Sequence, residues 1–158
     1  MREQFLAIGD DSWIEDEEGE CVYRVDGKAL RRRKTLKLED RDGNEVCKIQ
    51  ERRLRIKDTM EIEAPGGQRL GLIQKAFISP LRERFAVEVP DGEDLKVRGK
   101  IFDHEYVIKQ GGEQVAEVSK RWLRMRDTYG IDIEPGQDDV LILAIAVALD
   151  AMEHDEPG

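Results

Sequence analysis

From Val140 to Leu149 every side chain is apolar, Val-Leu-Ile-Leu-Ala-Ile-Ala-Val-Ala-Leu, and no helical angle offers a polar face. A helix hydrophobic all round must be buried all round. The run falls well short of the roughly 20 residues that span a bilayer, so protein rather than lipid should exclude water from it. Almost everything before it reads as β-strand. The chain is therefore expected to wrap a sheet around one central helix.

Short alternating segments separated by turn signals recur from Phe5 to Ile133, the pattern of an antiparallel meander or barrel. Turns are expected at Asp42-Gly43-Asn44, Pro65-Gly66-Gly67, Pro90-Asp91-Gly92 and Gly111-Gly112. Proline falls only near turns or ends, at positions 65, 80, 90, 135 and 157, so no central strand loses a ladder hydrogen bond to it. Pro135-Gly136 breaks the last strand, and Asp138 and Asp139 supply an N-cap candidate and favourable charge for a helix over about 138–153. The fold class predicted is α+β: a closed antiparallel β-barrel of about twelve strands around a buried C-terminal helix.

The chain also repeats itself. The segment 43–62 lies without gaps over 112–131, matching Val46 to Val115, Arg52 to Arg121, Leu54 to Leu123, Arg55 to Arg124, Asp58 to Asp127 and Thr59 to Thr128. Upstream, Val25-Asp26-Gly27-Lys28 resembles Val97-Arg98-Gly99-Lys100. One domain over 1–158 with two similar halves, about 20–64 and 92–133, follows, since two copies are too few for a solenoid. A shorter signature, Gly-x-x-Val/Leu-small-x-Ile/Val, occurs at Gly43, Gly67 and Gly112. Its small residues (Cys47, Gly71, Ala116) share a strand face with Ile49, Ile73 and Val118, so they should face inward and let the strands approach the helix. By the same alternation Leu54, Ile56, Met60, Ile62, Leu123, Met125, Tyr129 and Ile131 should point in, and Arg55, Lys57, Arg124 and Arg126 out.

The formal charge of −9 argues against a general nucleic-acid or anionic-surface binder, so any anion site must be local. Charge is segregated: residues 28–57 hold twelve Lys/Arg against five Asp/Glu, while 132–156 carry eight acids and no Lys or Arg. Cys21 and Cys47 are too few for a disulfide framework and read as reduced packing residues. With no signal-peptide pattern or lipidation motif in the sequence, a cytoplasmic monomer without a transmembrane span is expected.

The strings Leu36-Lys-Leu-Glu-Asp-Arg-Asp-Gly43, Leu54-Arg-Ile-Lys-Asp-Thr59, Asp103-His-Glu-Tyr-Val-Ile108 and Val115-Ala-Glu-Val-Ser-Lys-Arg-Trp122, with the terminal Leu-Ile-Leu-Ala-Ile-Ala, resemble the LOR family over nearly the whole chain. That resemblance implies a fold similar to the tubby C-terminal domain and to phospholipid scramblases, a twelve-stranded barrel enclosing a hydrophobic C-terminal helix. It implies no defined biochemical activity. Tubby domains bind phosphoinositide head groups through basic surface residues, but no motif here carries those positions over one by one, and scramblase-like lipid transfer follows from fold analogy alone.

No catalytic constellation is visible, so the chain is read as no enzyme, with no cofactor and no metal. His104 and His154 are far apart, and Asp103, His104 and Glu105 alternate faces along a strand, which keeps them from converging on one ion. The acidic run Glu15–Glu20 lacks calcium-loop spacing and reads as a solvated loop. Trp122 is placed facing out, and Trp13 is placed over a barrel opening. The anion-binding candidates are Arg31, Arg32, Arg33 and Lys34; Arg53, Arg55 and Lys57; and Arg121, Arg124 and Arg126. Arginine and lysine in clusters can hold phosphate oxygens. The opposing reading is that outward basic residues pair with Glu and Asp on neighbouring strands for solubility and edge protection. Two functions follow: a non-catalytic module for an anionic, phosphate-bearing head group, or a structural and protein-interaction domain with no small-molecule ligand. Nucleic acid is not an expected partner.

Overall fold

Period-two alternation resolves into twelve strands, followed by the helix, in a computed structural model that describes residues 2–6, 11–16, 18–26, 35–51, 59–79, 82–101, 103–120 and 128–155. The strands are β1 (Arg2–Leu6), β2 (Asp11–Glu15), β3 (Cys21–Asp26), β4 (Thr35–Asp40), β5 (Glu45–Glu51), β6 (Thr59–Glu63), β7 (Arg69–Ser79), β8 (Arg82–Glu88), β9 (Leu95–Lys100), β10 (Glu105–Gln110), β11 (Glu113–Ser119) and β12 (Thr128–Ile133), with α1 at Asp139–Asp155. The class is α+β, an antiparallel sheet with one C-terminal helix packed against it. Each strand is hydrogen-bonded to its sequence neighbours, and β1 pairs both with β12 and with β2. The β1–β2 ladder is the shortest, two residue pairs (Gln4↔Glu15 and Phe5↔Ile14), against five pairs between β1 and β12.

The expected turns form where glycine supplies positive φ: Gly43 (83°), Gly67 (89°), Gly111 (60°), Gly112 (84°) and Gly136 (88°). Asp40 fixes the β4–β5 turn, its carboxylate accepting the N–H groups of Asp42 and Asn44 at 2.9 Å each. Asp138 caps α1: its carboxylate accepts the N–H of Leu141 at 3.2 Å and its carbonyl that of Ile142 at 3.1 Å.

Every residue from Leu141 to Leu149 is buried, and Val140 is half-buried. Burial of each large aliphatic side chain contributes about 1.5–3 kcal/mol, so this one helix is a major source of stability. It lies closest to β5, β6, β7 and β12. The strands meet it through inward residues that alternation predicted: Ile49, Met60, Ile62, Ile73, Val118, Tyr129 and Ile131 are buried, while Leu54, Ile56, Leu123 and Met125 lie outside the described residues. The small-residue signature works as expected. A side chain on Gly71 would stand 3.4 Å from Leu141 Cδ1 and 3.2 Å from Val87 Cγ1, so the missing Cβ leaves the room the helix occupies. Gly99 is required more strictly: its φ is +140°, and a Cβ there would stand 2.6 Å from the backbone oxygen of Glu105.

His104 carries a polar cluster into the core. His104, in the β9–β10 turn with φ of 53°, is buried, stacks on Tyr129 at 4.4 Å between ring centroids, and places Nε2 3.4 Å from Asp150 Oδ1 on α1. It ties a turn, a strand and the helix together.

Cys47 and Cys21 are both free thiols, Cys47 buried and Cys21 half-buried. Burial, with the Glu45 and Asp138 carboxylates adding to it, pushes the Cys47 thiol from its ordinary 9.0 up to about 12. Burial followed by Glu15 raises Cys21 as well. Below pH 9 the folded and unfolded chains both keep the Cys47 proton. Between pH 9 and about 12 only the folded chain keeps it, so stability falls as pH rises, by up to about 1.4 kcal/mol per pH unit. Urea unfolding at stepped pH should show wild type losing stability faster than Cys47→Ala across that window. Parallel curves for the two proteins would contradict the assignment.

Candidate functional site

Strand β9, Leu95-Lys96-Val97-Arg98-Gly99-Lys100, sends Leu95 and Val97 into the core and leaves Lys96, Arg98 and Lys100 exposed. The register then sets charge against like charge. Lys96 faces Lys109 of β10, and Arg98 faces Arg84 of β8. Directly opposed like charges on a sheet face are unfavourable, by about 0.2–1 kcal/mol per pair.

Beside these residues lies a cleft of about 480 Å³ lined by Glu93, Asp94, Lys96, Arg98, Lys109, Gly111 and Gly112. That volume suits a small ligand. The acidic end is held by backbone bonds: Asp94 Oδ1 accepts the N–H of Val89 at 3.2 Å, and Gln110 Nε2 donates to the Glu93 carbonyl at 2.7 Å. The Glu93 carboxylate rests over Gly111, where a Cβ would come within 2.9 Å of both its oxygens. Neither Lys96, Arg98 nor Lys109 makes an ion pair or side-chain hydrogen bond with another described residue. Three basic groups elsewhere on the surface are paired, Arg41 with Glu20 at 2.9 Å, Lys48 with Glu63 at 3.6 Å and Arg69 with Glu61 at 3.1 Å.

The sequence-predicted anion residues Arg31, Arg32, Arg33, Lys34, Arg53, Arg55, Lys57, Arg121, Arg124 and Arg126 all lie outside the described residues, as does Trp122. Reading the densest basic runs missed Lys96, Arg98 and Lys109. The strict alternation of 95–100 signals them only in part: it puts Lys96, Arg98 and Lys100 on one outward face, while Lys109 joins them through the β9–β10 register. Trp13 does not cover an opening. The alternation of β2 turns Ile14 into the core and Trp13 out, 43% exposed, with the Arg24 guanidinium 5.4 Å from the ring centroid.

Asp103, His104 and Glu105 do not converge. Asp103 is exposed, His104 is buried, and Glu105 accepts the Ser119 hydroxyl at 2.9 and 3.0 Å and the Lys120 N–H at 3.1 Å. The carboxylates of Asp16, Glu18 and Glu20 do gather, but Asp16 is turned inward on the loop, accepting the N–H groups of Glu18 and Glu20.

An antiparallel sheet covering a C-terminal helix whose 140–149 segment is all apolar, with a charged cleft on the sheet's outer face, defines a class of β-rich domain with one core helix. The chain belongs to the LURP-one-related (LOR) family, whose model matches residues 1–150. Its fold is similar to that of a protein from Arabidopsis thaliana solved by X-ray crystallography, with a TM-score of 0.74 at 17% identity over 96% of this chain and 90% of the other. No curated protein matches the sequence. Among the described residues no helix is long and apolar enough to cross a membrane.

The opposed lysines generate a stability prediction. Lys109→Glu converts a like-charge pair into an attractive one and should raise the unfolding free energy by about 0.5 kcal/mol at low salt, the gain shrinking as salt is added. Denaturant titrations at two ionic strengths measure this. A destabilised or salt-indifferent variant would show that Lys96 and Lys109 do not repel.

Proposed function

We propose that this chain is a non-catalytic binding module, acting as a cytoplasmic monomer, that takes an anionic, phosphate-bearing group on a local basic surface. The observation that carries the proposal is the set Lys96, Arg98 and Lys109: three cations at one small cleft, each without an ionic partner among the described residues, on a protein of net charge −9. Cations left unpaired against one another at a stability cost are what an anion site requires. The clusters Arg31–Lys34, Arg53–Lys57 and Arg121–Arg126 extend the proposal as further contacts for an extended ligand or a membrane surface.

The architecture that presents the surface is, in the same proposal, one domain over 1–158: a closed barrel in two similar halves around α1. Supporting it are the return of the strand order to β1 and a matching irregularity in the two hairpins. The β4–β5 ladder shifts register between Leu38 and Glu39, and the β10–β11 ladder shifts at the corresponding place, between Ile108 and Lys109.

The competing reading, a structural or protein-interaction domain with no small ligand, draws on the paired surface charges Arg41–Glu20, Lys48–Glu63 and Arg69–Glu61. Two measurements together decide between them: flotation with neutral phosphatidylcholine vesicles and with vesicles that also carry an anionic lipid, and titration of inorganic phosphate followed by amide chemical shifts. The anion proposal expects salt-sensitive binding to anionic vesicles, or phosphate shifts centred on 96–112, weakened about tenfold or more by combined Lys96→Gln and Arg98→Gln. Equal binding to neutral vesicles, or no response to vesicles or phosphate, would leave the protein-interaction reading in its place.

A further inference from the structure

The β9–β10 cleft holds two kinds of charge, and they are segregated. Lys96, Arg98 and Lys109 supply the positive wall, while Glu93 and Asp94 supply a negative end. The acids do not quench the bases, since no ion pair within 4 Å joins the two groups. The two acids also differ. The Asp94 carboxylate is engaged with the Val89 N–H, so it serves the turn. Glu93 is anchored through its backbone carbonyl instead, and its carboxylate rests at the cleft over Gly111.

The other hairpin provides an internal comparison. Taking the register shifts of the adjoining ladders as the reference point, Leu38/Glu39 in β4–β5 and Ile108/Lys109 in β10–β11, Leu38 corresponds to Ile108, Val25 to Val97, Arg24 to Lys96, Asp26 to Arg98 and Glu39 to Lys109. At these positions β3 and β4 set opposite charges face to face, Arg24 against Glu39 and Asp26 against Lys37. At the same positions β9 and β10 set Lys96 against Lys109, and Arg98 against Val107. The adjoining turn of the first hairpin is closed by the Arg41–Glu20 pair and Arg24 is covered by Trp13, whereas the second hairpin keeps an open cleft. One scaffold thus carries a hairpin whose ladder sets opposite charges across from each other and a hairpin whose ladder sets Lys96 across from Lys109. Charges held apart at a stability cost fit a ligand that carries the complementary pair.

Resting on the anion-binding function proposed above, we infer that the β9–β10 cleft selects a zwitterionic phosphate ester: a phosphate for Lys96, Arg98 and Lys109, joined by a short linker to a primary ammonium that pairs with Glu93. A phosphoethanolamine group has that chemistry, whether free or as a phospholipid head. A phosphate ester lacking the amine satisfies the basic wall and leaves Glu93 facing the anion. A quaternary amine cannot donate a hydrogen bond to the carboxylate.

The test compares O-phosphoethanolamine with glycerol 3-phosphate on the full chain, reading amide shifts of residues 93–112. The cleft should bind phosphoethanolamine about threefold to fivefold more tightly, the range expected of one exposed ion pair. Glu93→Gln should collapse that preference toward unity while leaving glycerol 3-phosphate binding intact or stronger. Arg41→Ala, on the other hairpin, should change neither, and unperturbed spectra far from the cleft show that each variant folds. Vesicles of phosphatidylcholine with and without phosphatidylethanolamine distinguish the sources: dependence on the ethanolamine lipid identifies a membrane head group, and binding of the free compound alone identifies a soluble ester. Equal affinity for the two esters, or a preference that survives Glu93→Gln, overturns the inference while leaving the anion module standing. Failure of both esters to bind overturns the two together.

Discussion

Burial of a helix with no polar face is the constraint from which the rest of the structure follows. An amphipathic helix can lie on a sheet and leave one side in water; the segment 141–149 has no side to leave. The strands must therefore meet it from several directions, and the consecutive β5, β6 and β7 come close to it together with β12 from the far end of the sheet sequence. That geometry dictates local choices. Small residues are needed where a strand comes nearest, as at Gly71 against Leu141, and a cap is needed where the backbone enters the apolar interior, as Asp138 provides. A polar intrusion, His104 beside Asp150 and Tyr129, joins the helix to the β9–β10 turn, the other end of the hairpin that carries the charged cleft.

Because the interior is committed to apolar packing, chemistry is left to the outer face of the sheet. There the period of two decides everything. Each outward residue meets one partner across each ladder, and whether that partner is opposite or like in charge is fixed by register alone. Lys48 against Glu63 shows the stabilising arrangement, and Lys96 against Lys109 the costly one. A net-acidic chain has ample carboxylates with which to neutralise the second pair. It does not do so there, though it pairs Arg41, Lys48 and Arg69, and the like-charge register of Lys96 and Lys109 gives the β9–β10 face its character.

Much of this was legible in the sequence because it depends on short-range periodicity. The helix was readable from composition alone, starting within one residue of its expected position. The glycine turns at 43, 67, 111, 112 and 136 were readable because positive φ has few alternatives, and the inward set from Cys47 to Ile131 because alternation in a half-buried strand is unambiguous. The cleft was not readable, because it depends on which residues face each other across ladders. No spacing in the chain reveals that Lys96 stands opposite Lys109, or that Glu93 settles over Gly111. Attention to dense basic runs led instead to residues outside the described ones. Trp13 was misplaced for a related reason: its size suggested a plug, but Ile14 beside it takes the inward position, and two neighbours in a strand cannot both point in.

Amide hydrogen exchange along α1 tests the central claim most directly. If the helix is the hub enclosed by the chain's own strands, the amides of residues 143–149 exchange only through global unfolding, with free energies equal to that from denaturant titration and unaffected by protein concentration. Exchange of those amides through low-energy local opening, or protection that rises with concentration, would mean that the helix is covered by something other than its own sheet.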